Sequence, residues 1–328
     1  MLVGAGLSSR LIAQSCTTQA KMTPEQRAGA GAAAYKLASA VLSGNSGAVQ
    51  ADTIAPYSTN FDQTANLIHA TSAKMTGDAV AVSQIYMLDA SNRTANDSSE
   101  AEFSCPLAGT SAETDFAISG LPQGKYAFAM VEASGPNPWL LSFLLQADGG
   151  GWKMAGFYPH RRDAAGHNGL WYWTVARADA KTGKPWLAWL FYGQADELLR
   201  PANFVSTTNL DRLRSETRSA APPQLSAGLS DATPLALTGP KGADYRITGL
   251  NSQPSEDGRQ LNLIVHLRGD GQLDANAATA RNTAVGAALL AAHPELRSGF
   301  DNLWVLAEAP NTNPFVTVRP MTETNVPK

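Results

Sequence analysis

The chain has 328 residues, of which 44% are hydrophobic and 16% charged, and its formal net charge is −3. That length is more than one hydrophobic core usually holds, so two domains are expected, and the apolar content excludes a disordered chain. The weakly acidic balance gives no attraction for phosphate backbones and argues against a nucleic-acid partner. No run of about 18 apolar residues offers a bilayer span.

Residues 1–21 read as an export-signal remnant or a disordered tail. Leu2–Leu7 is apolar, and Ala13-Gln14-Ser15 fits the small-x-small pattern of signal cleavage. A basic start is missing, and Arg10 interrupts the apolar run. The stretch Leu11–Cys16 is similar to a bacterial lipobox with Ala13 in place of the usual large aliphatic. Export to the periplasm or cell envelope is therefore expected, with Cys16 as a candidate for lipid attachment. Cys16 and Cys105 are the two cysteines of the chain. Cys105 lies in the strand-like stretch Phe103–Leu107, where the plainer reading is a small buried residue; in an exported protein a Cys16–Cys105 disulfide is the alternative.

Thr23-Pro24-Glu25-Gln26 predicts a helix start, with Thr23 as cap, Pro24 in the first turn and Gln26 reaching back. Ala30, Ala34, Leu37, Ala38, Val41 and Leu42 follow at helical spacing, and Gly44-Asn45 closes the helix. Shorter helices fit residues 46–54 and 61–74. From residue 79 the period changes to two. Strands are expected at Val80–Met87, Ala101–Leu107, Thr114–Ile118, Lys125–Glu132, Leu140–Ala147 and Gly151–Tyr158, the last two joined by Asp148-Gly149-Gly150. The fold class is α+β, with N-terminal helices packed on a curved antiparallel sheet.

This order of elements, ending in Trp139–Leu145 and Gly151-Trp152-Lys153-Met154-Ala155-Gly156-Phe157-Tyr158, resembles nuclear transport factor 2-like (cystatin-like) domains over residues 23–160. The resemblance implies a long helix cradled by the sheet, with a cone-shaped cavity between them. Its members include small-molecule isomerases and dehydratases, ligand-binding modules and partner-binding domains. The Asp base and Tyr donor of the isomerase branch have no counterpart in this sequence.

Leu170–Lys181 and Pro185–Arg200 predict a helical hairpin that must bury its apolar face on a neighbour, and within residues 163–218 it is expected to buttress the first domain. Ala220-Ala221-Pro222-Pro223 and the Ser- and Gly-containing residues around it make 219–233 the expected linker. Residues 234–320 read as a small α/β sandwich domain, and 321–328 as a tail. Leu261–Arg268 alternates as a strand, Asp274 caps a helix running to Ala292, and strands follow at Leu303–Ala307 and Phe315–Val318. The crossover from Leu267 to Leu303 is long enough to join parallel strands.

No nucleophile elbow, His-Glu-x-x-His, Cys-x-x-Cys, phosphate loop or dinucleotide fingerprint is present, so neither cofactor nor metal is implied. Two groups carry the candidate ligand- or partner-binding residues. His160, Arg161, Arg162 and His167 follow the last strand of the first domain, where they either hold an anion or form a solvated strand end. Trp139, Trp152, Trp171, Trp173, Trp186 and Trp189 concentrate between residues 139 and 189, together with Tyr158. They either glue the hairpin to the sheet or form a stacking surface for a sugar or apolar ligand. The expected function is an envelope-associated binding or scaffolding protein with a protein or small-molecule partner. The candidate residues are Tyr158, His160, Arg161, His167, Trp171 and Trp173. The alternative is an isomerase- or dehydratase-like enzyme working in the first domain's cavity.

Overall fold

The computed structural model describes residues 15–77, 79–94, 97–239, 242–269, 274–309 and 313–323. In chain order these form β1 (Ser15–Thr18), α1 (Pro24–Leu42), α2 (Ser46–Ala51), α3 (Ala55–Ser58), α4 (Asp62–Ser72), β2 (Ala79–Asp89), β3 (Ala101–Pro106) and β4 (Glu113–Ile118). Next come β5 (Lys125–Ser134), β6 (Trp139–Asp148), β7 (Gly151–Arg161), β8 (Asp163–Ala164), β9 (His167–Asn168), α5 (Gly169–Lys181) and α6 (Pro185–Leu199). The rest are β10 (Val205–Thr207), α7 (Thr208–Ala220), β11 (Leu235–Thr238), β12 (Asp244–Pro254), β13 (Leu261–Arg268), α8 (Ala275–Ala292), β14 (Asn302–Glu308) and β15 (Phe315–Pro320). The fold is mixed α+β. Among the described residues no helix is long and apolar enough to cross a membrane. Two compact units divide the chain: Met1–His160 with Pro201–Asn209, and Arg161–Arg200 with Leu210–Lys328.

In the first unit, α1 starts as its sequence dictates. The Thr23 hydroxyl accepts from the Gln26 backbone N–H at 3.2 Å, and the Gln26 side chain accepts from the Thr23 N–H at 3.0 Å. Its Ala30, Ala34, Leu37, Ala38 and Val41 are at most 1% exposed and form one core with Ile85, Ala129, Val131, Leu141, Phe143 and Phe157 of the sheet β1-β2-β5-β6-β7. These side chains pack where a cone-shaped cavity was expected, and a pocket of about 360 Å³ lies beside them, lined by Tyr35, Ser39 and Leu42 of α1 and Val80 of β2. Small residues on the helix let it lie close to the sheet.

The strands do not form a single meander. β3 and β4 leave the main sheet and pair with β10 in a three-stranded sheet of order β10-β4-β3. Phe103, Phe116, Ile118 and Val205 of this small sheet join Tyr86, Leu88, Phe128 and Leu144 in a second core. The main sheet is thus apolar on both faces, which is why Trp139–Leu145 of β6 is buried without alternation.

Cys16 of β1 and Cys105 of β3 form a disulfide, with their Cα atoms 5.2 Å apart. This corrects two expectations. Cys105 is not merely a small buried residue, and the Cys16 sulfur, bonded to Cys105, is not free to carry a lipid anchor. Residues 15–21 are no tail either. β1 pairs antiparallel with β2, and the Gln19 side chain accepts the Ile85 N–H at 2.9 Å. The proposed cleavage motif from Ala13 to Ser15 and the apolar Leu2–Leu7 lie outside the described residues, apart from Ser15 itself.

The second unit absorbs the helical hairpin. Tyr172, Trp173, Leu187, Leu190 and Phe191 share one core with Leu263, Val265, Val285, Leu289 and Val305, so the hairpin, expected with the first domain, belongs to the second unit. Residues 219–233 are no linker: Leu225 is 3% exposed in that same core. α7 escaped the sequence reading because only Leu210 and Leu213 of its thirteen residues are buried. The sheet runs β11-β12-β13-β14-β15, with β13 and β14 parallel across the α8 crossover and the other pairs antiparallel. Asp274 caps α8 by accepting from the Asn276 and Ala277 N–H groups. The expected C-terminal tail begins with a 3-10 turn at Met321–Glu323, and Met321 is buried; residues 324–328 lie outside the described residues.

Candidate functional site

The site of interest is built where the second unit begins. β8 and β9 are joined by Ala165 and Gly166, both at positive φ (49° and 76°), the backbone that a two-residue hairpin of this twist demands. Glycine adopts it freely. Ala165 does so at a cost, and its N–H is anchored on the Gly258 carbonyl at 2.8 Å. Asn168 then caps α5, its side chain accepting the Trp171 N–H at 2.9 Å. Gly169 opens the helix at a point where a Cβ would lie 2.5 Å from Leu199 Cγ. Only glycine lets the start of α5 approach the end of α6 so closely.

This entry angle sets His167 flat on the Trp171 indole, with centroids 3.7 Å apart and planes 7° from parallel. Trp171 keeps 39% of its surface exposed. Tyr172 stands edge-on to both Trp171 and Phe191, at 5.0 and 5.4 Å. Its hydroxyl donates to the Ala164 carbonyl at 2.8 Å, and burial, reinforced by the negative charges of Asp301 and Asp163, pushes its pKa up.

These rings line a cavity of about 470 Å³ with Leu187, Phe300 and Asp301, a size within the usual span of small-molecule sites. Two charged features sit on its wall. Lys184 donates to the mostly buried Asp179 carboxylate at 3.3 Å. Asp301 is clamped by three bonds: its Oδ2 accepts the Leu261 N–H at 2.8 Å, its N–H donates to the Leu261 carbonyl at 2.8 Å, and its carbonyl accepts the Met321 N–H at 2.9 Å. Asp301 Oδ1 has no hydrogen-bond partner among the described residues.

Of the six residues singled out from the sequence, the structure brings His167 and Trp171 together. Trp173, two positions on, faces the other way and is 7% exposed. Its indole N–H donates to Glu216 at 2.7 Å, and the Arg177 guanidinium lies 4.3 Å over its ring. Tyr158 and His160 belong to the first unit. Tyr158 packs edge-on to Phe204 at 4.9 Å, and burial pushes its hydroxyl up to about 12. Arg161 pairs with Asp163 at 3.4 Å and reaches the Glu256 carbonyl at 3.5 Å, ties that fix the turn around the site rather than offer a free guanidinium. The tryptophan cluster likewise divides. Trp139 and Trp152 join the α1 core of the first unit, whereas Trp173 and Trp186 are buried in the second.

Phe191 was read with the aromatic group around Trp171, whereas Asp301, Lys184 and Phe300 went unread as site residues in the sequence. Asp301 and Phe300 lie about 130 residues from Trp171, and no local spacing links them. Among the described residues no three His, Cys, Asp or Glu side chains gather as a metal ion would need. Comparison with known proteins yields no relative: no family model, no curated protein and no solved structure matches the chain.

Proposed function

We propose that this is an exported, non-catalytic binding protein of the cell envelope, and that its second unit captures a small molecule against Trp171. The observation that carries the reading is an indole stacked on an imidazole yet 39% exposed on the wall of a cavity of about 470 Å³. A large aromatic left in reach of solvent on a concave wall is how binding sites differ from cores. Export draws support from the Cys16–Cys105 disulfide, since such bonds persist in oxidising compartments and are rare in reducing ones. A nuclear transport factor 2-like origin for the first unit draws support from α1 lying along an antiparallel sheet. The enzymatic alternative draws little from the same place, because α1 and the sheet meet there in a hydrophobic core that includes Leu37, Ile85, Phe143 and Met154.

The test is a ligand-observed NMR screen of a fragment library against the full chain and its Trp171→Ala variant. Fragments that bind the parent and weaken at least tenfold in the variant, at unchanged melting temperature, are expected. A screen whose hits ignore the substitution, or that finds none, overturns the reading. The export half is tested by trapping thiols in intact cells with a maleimide. Finding Cys16 and Cys105 labelled there removes its support.

A further inference from the structure

We propose that the Trp171 cavity takes a neutral saccharide, an inference that rests on reading this cavity as the ligand site. The polar groups on its wall decide the ligand's charge. Lys184 and Asp179 neutralise each other as a pair, which leaves the Asp301 carboxylate as the unbalanced charge beside the rings. An anionic ligand meets repulsion from Asp301. A purely apolar ligand strips water from Asp301 Oδ1 and from the Lys184–Asp179 pair without replacing its hydrogen bonds, which is unfavourable. A cationic ligand finds Asp301, but one face of the Trp171 ring, the surface a cation would share, is already covered by His167.

A sugar meets each of these demands. Its ring carries a C–H face suited to an indole, and its rim carries hydroxyls that both donate and accept. Asp301 supplies an acceptor at the cavity, because the three bonds to Leu261 and Met321 hold that residue in place and leave Oδ1 unused. His167 offers its ring nitrogens and Lys184 a donor. Phe191, Phe300 and Leu187 form a dry wall for a methyl or methylene substituent. An indole already stacked on His167 has less freedom to lose when a ring settles on its other face.

The experiment titrates the full chain, followed by tryptophan fluorescence and calorimetry, with neutral mono- and disaccharides of glucose, galactose, mannose and their N-acetylamino derivatives. Benzyltrimethylammonium and 4-hydroxybenzoate serve as cationic and anionic aromatic controls. The expected result is binding of at least one neutral sugar that weakens tenfold or more in Trp171→Ala and threefold or more in Asp301→Asn. The amide oxygen of Asp301→Asn can still accept the Leu261 N–H, so the clamp survives and the loss reports on the ligand. Two results overturn the inference: sugar binding that ignores Trp171→Ala, or no sugar binding at all. If a control or a library fragment binds through Trp171 while every sugar fails, the saccharide assignment falls and the cavity reading stands. If nothing binds through Trp171, both fall.

Discussion

The two units enclose their sheets by different means. In the first, α1 covers one face of the main sheet and the small sheet β10-β4-β3 contributes to the core on the other, with a disulfide fastening β1 to β3. In the second, the face bearing Leu263, Val265, Leu303 and Val305 is packed with the helices, whereas Val316 and Val318 on the opposite face of β15 are 43% and 45% exposed. In the first unit both faces of the main sheet therefore carry a hydrophobic core. A hairpin docked at one end of a sheet leaves an incompletely filled junction, and that is where Trp171 stands.

The sharpest way to break this contrast is to remove the covalent tie. The disulfide closes a loop with a sequence separation of 89, for which chain entropy gives a stabilisation of about 4–5 kcal/mol. Replacing both cysteines by serine is expected to destabilise the first unit by about that amount. Amide exchange should show β1 and β3 losing protection while α5 and α6 keep theirs. Equal loss in both units would mean that the tie is not a property of the first unit alone.

Local signals located most of the strands and helices, though not β1, β8, β9, β10, α3 or α7, yet said little about partners. The Thr23 capping box and the alternation of Val80, Val82, Ile85 and Met87 are written within a few residues of each other, so α1 and β2 were legible. Sheet membership depends on what a strand meets far along the chain, so β3 and β4 were assigned to the wrong sheet. One trace of the true arrangement was present: a sheet with one wet face does not need the run Trp139–Leu145, apolar but for Ser142. The hairpin's apolar residues said that it must pack, but not on which neighbour. The site was half legible for the same reason. His167 and Trp171 are one helical turn apart, whereas Asp301 reaches them only through the fold.

A smaller effect should separate two residues that share a helix and a residue type. Trp173→Ala empties a buried position and leaves Glu216 without one of its donors, so a loss of about 3–5 kcal/mol is expected. Trp173→Phe keeps most of the volume and should cost about 1–2 kcal/mol. Trp171→Ala, at a ring 39% exposed, should cost well under half of the Trp173→Ala value in chemical denaturation. Equal losses at the two positions would make Trp171 a core residue and remove the ground for placing a ligand there.

The mildest expected effect is a pH slope confined to the second unit. Glu216 receives bonds from Arg177 at 2.7 and 2.8 Å, from Trp173 at 2.7 Å and from Arg212 at 3.0 Å. The Arg177 fork, with these other donors, holds its carboxyl down to about 2, against an ordinary value of 4.5. A carboxylate lowered on folding stabilises the native state fully above 4.5, and that contribution drains away as pH falls toward 2. At a side chain still 25% exposed, solvent screening reduces it to about 1–2 kcal/mol. His293, stacked 3.8 Å from Trp186, has its pKa pushed down from 6.5 by burial. Its neutral form is favoured on folding, so its contribution is present above 6.5 and begins to drop just below that pH. The two groups therefore act in different windows. Glu216→Gln should flatten the melting-temperature profile below pH 4.5 and leave the limb just below pH 6.5 as it was, whereas His293→Phe should do the reverse. If Glu216→Gln lowers stability equally at every pH, the cluster works by hydrogen bonding alone and the carboxylate's charge contributes nothing.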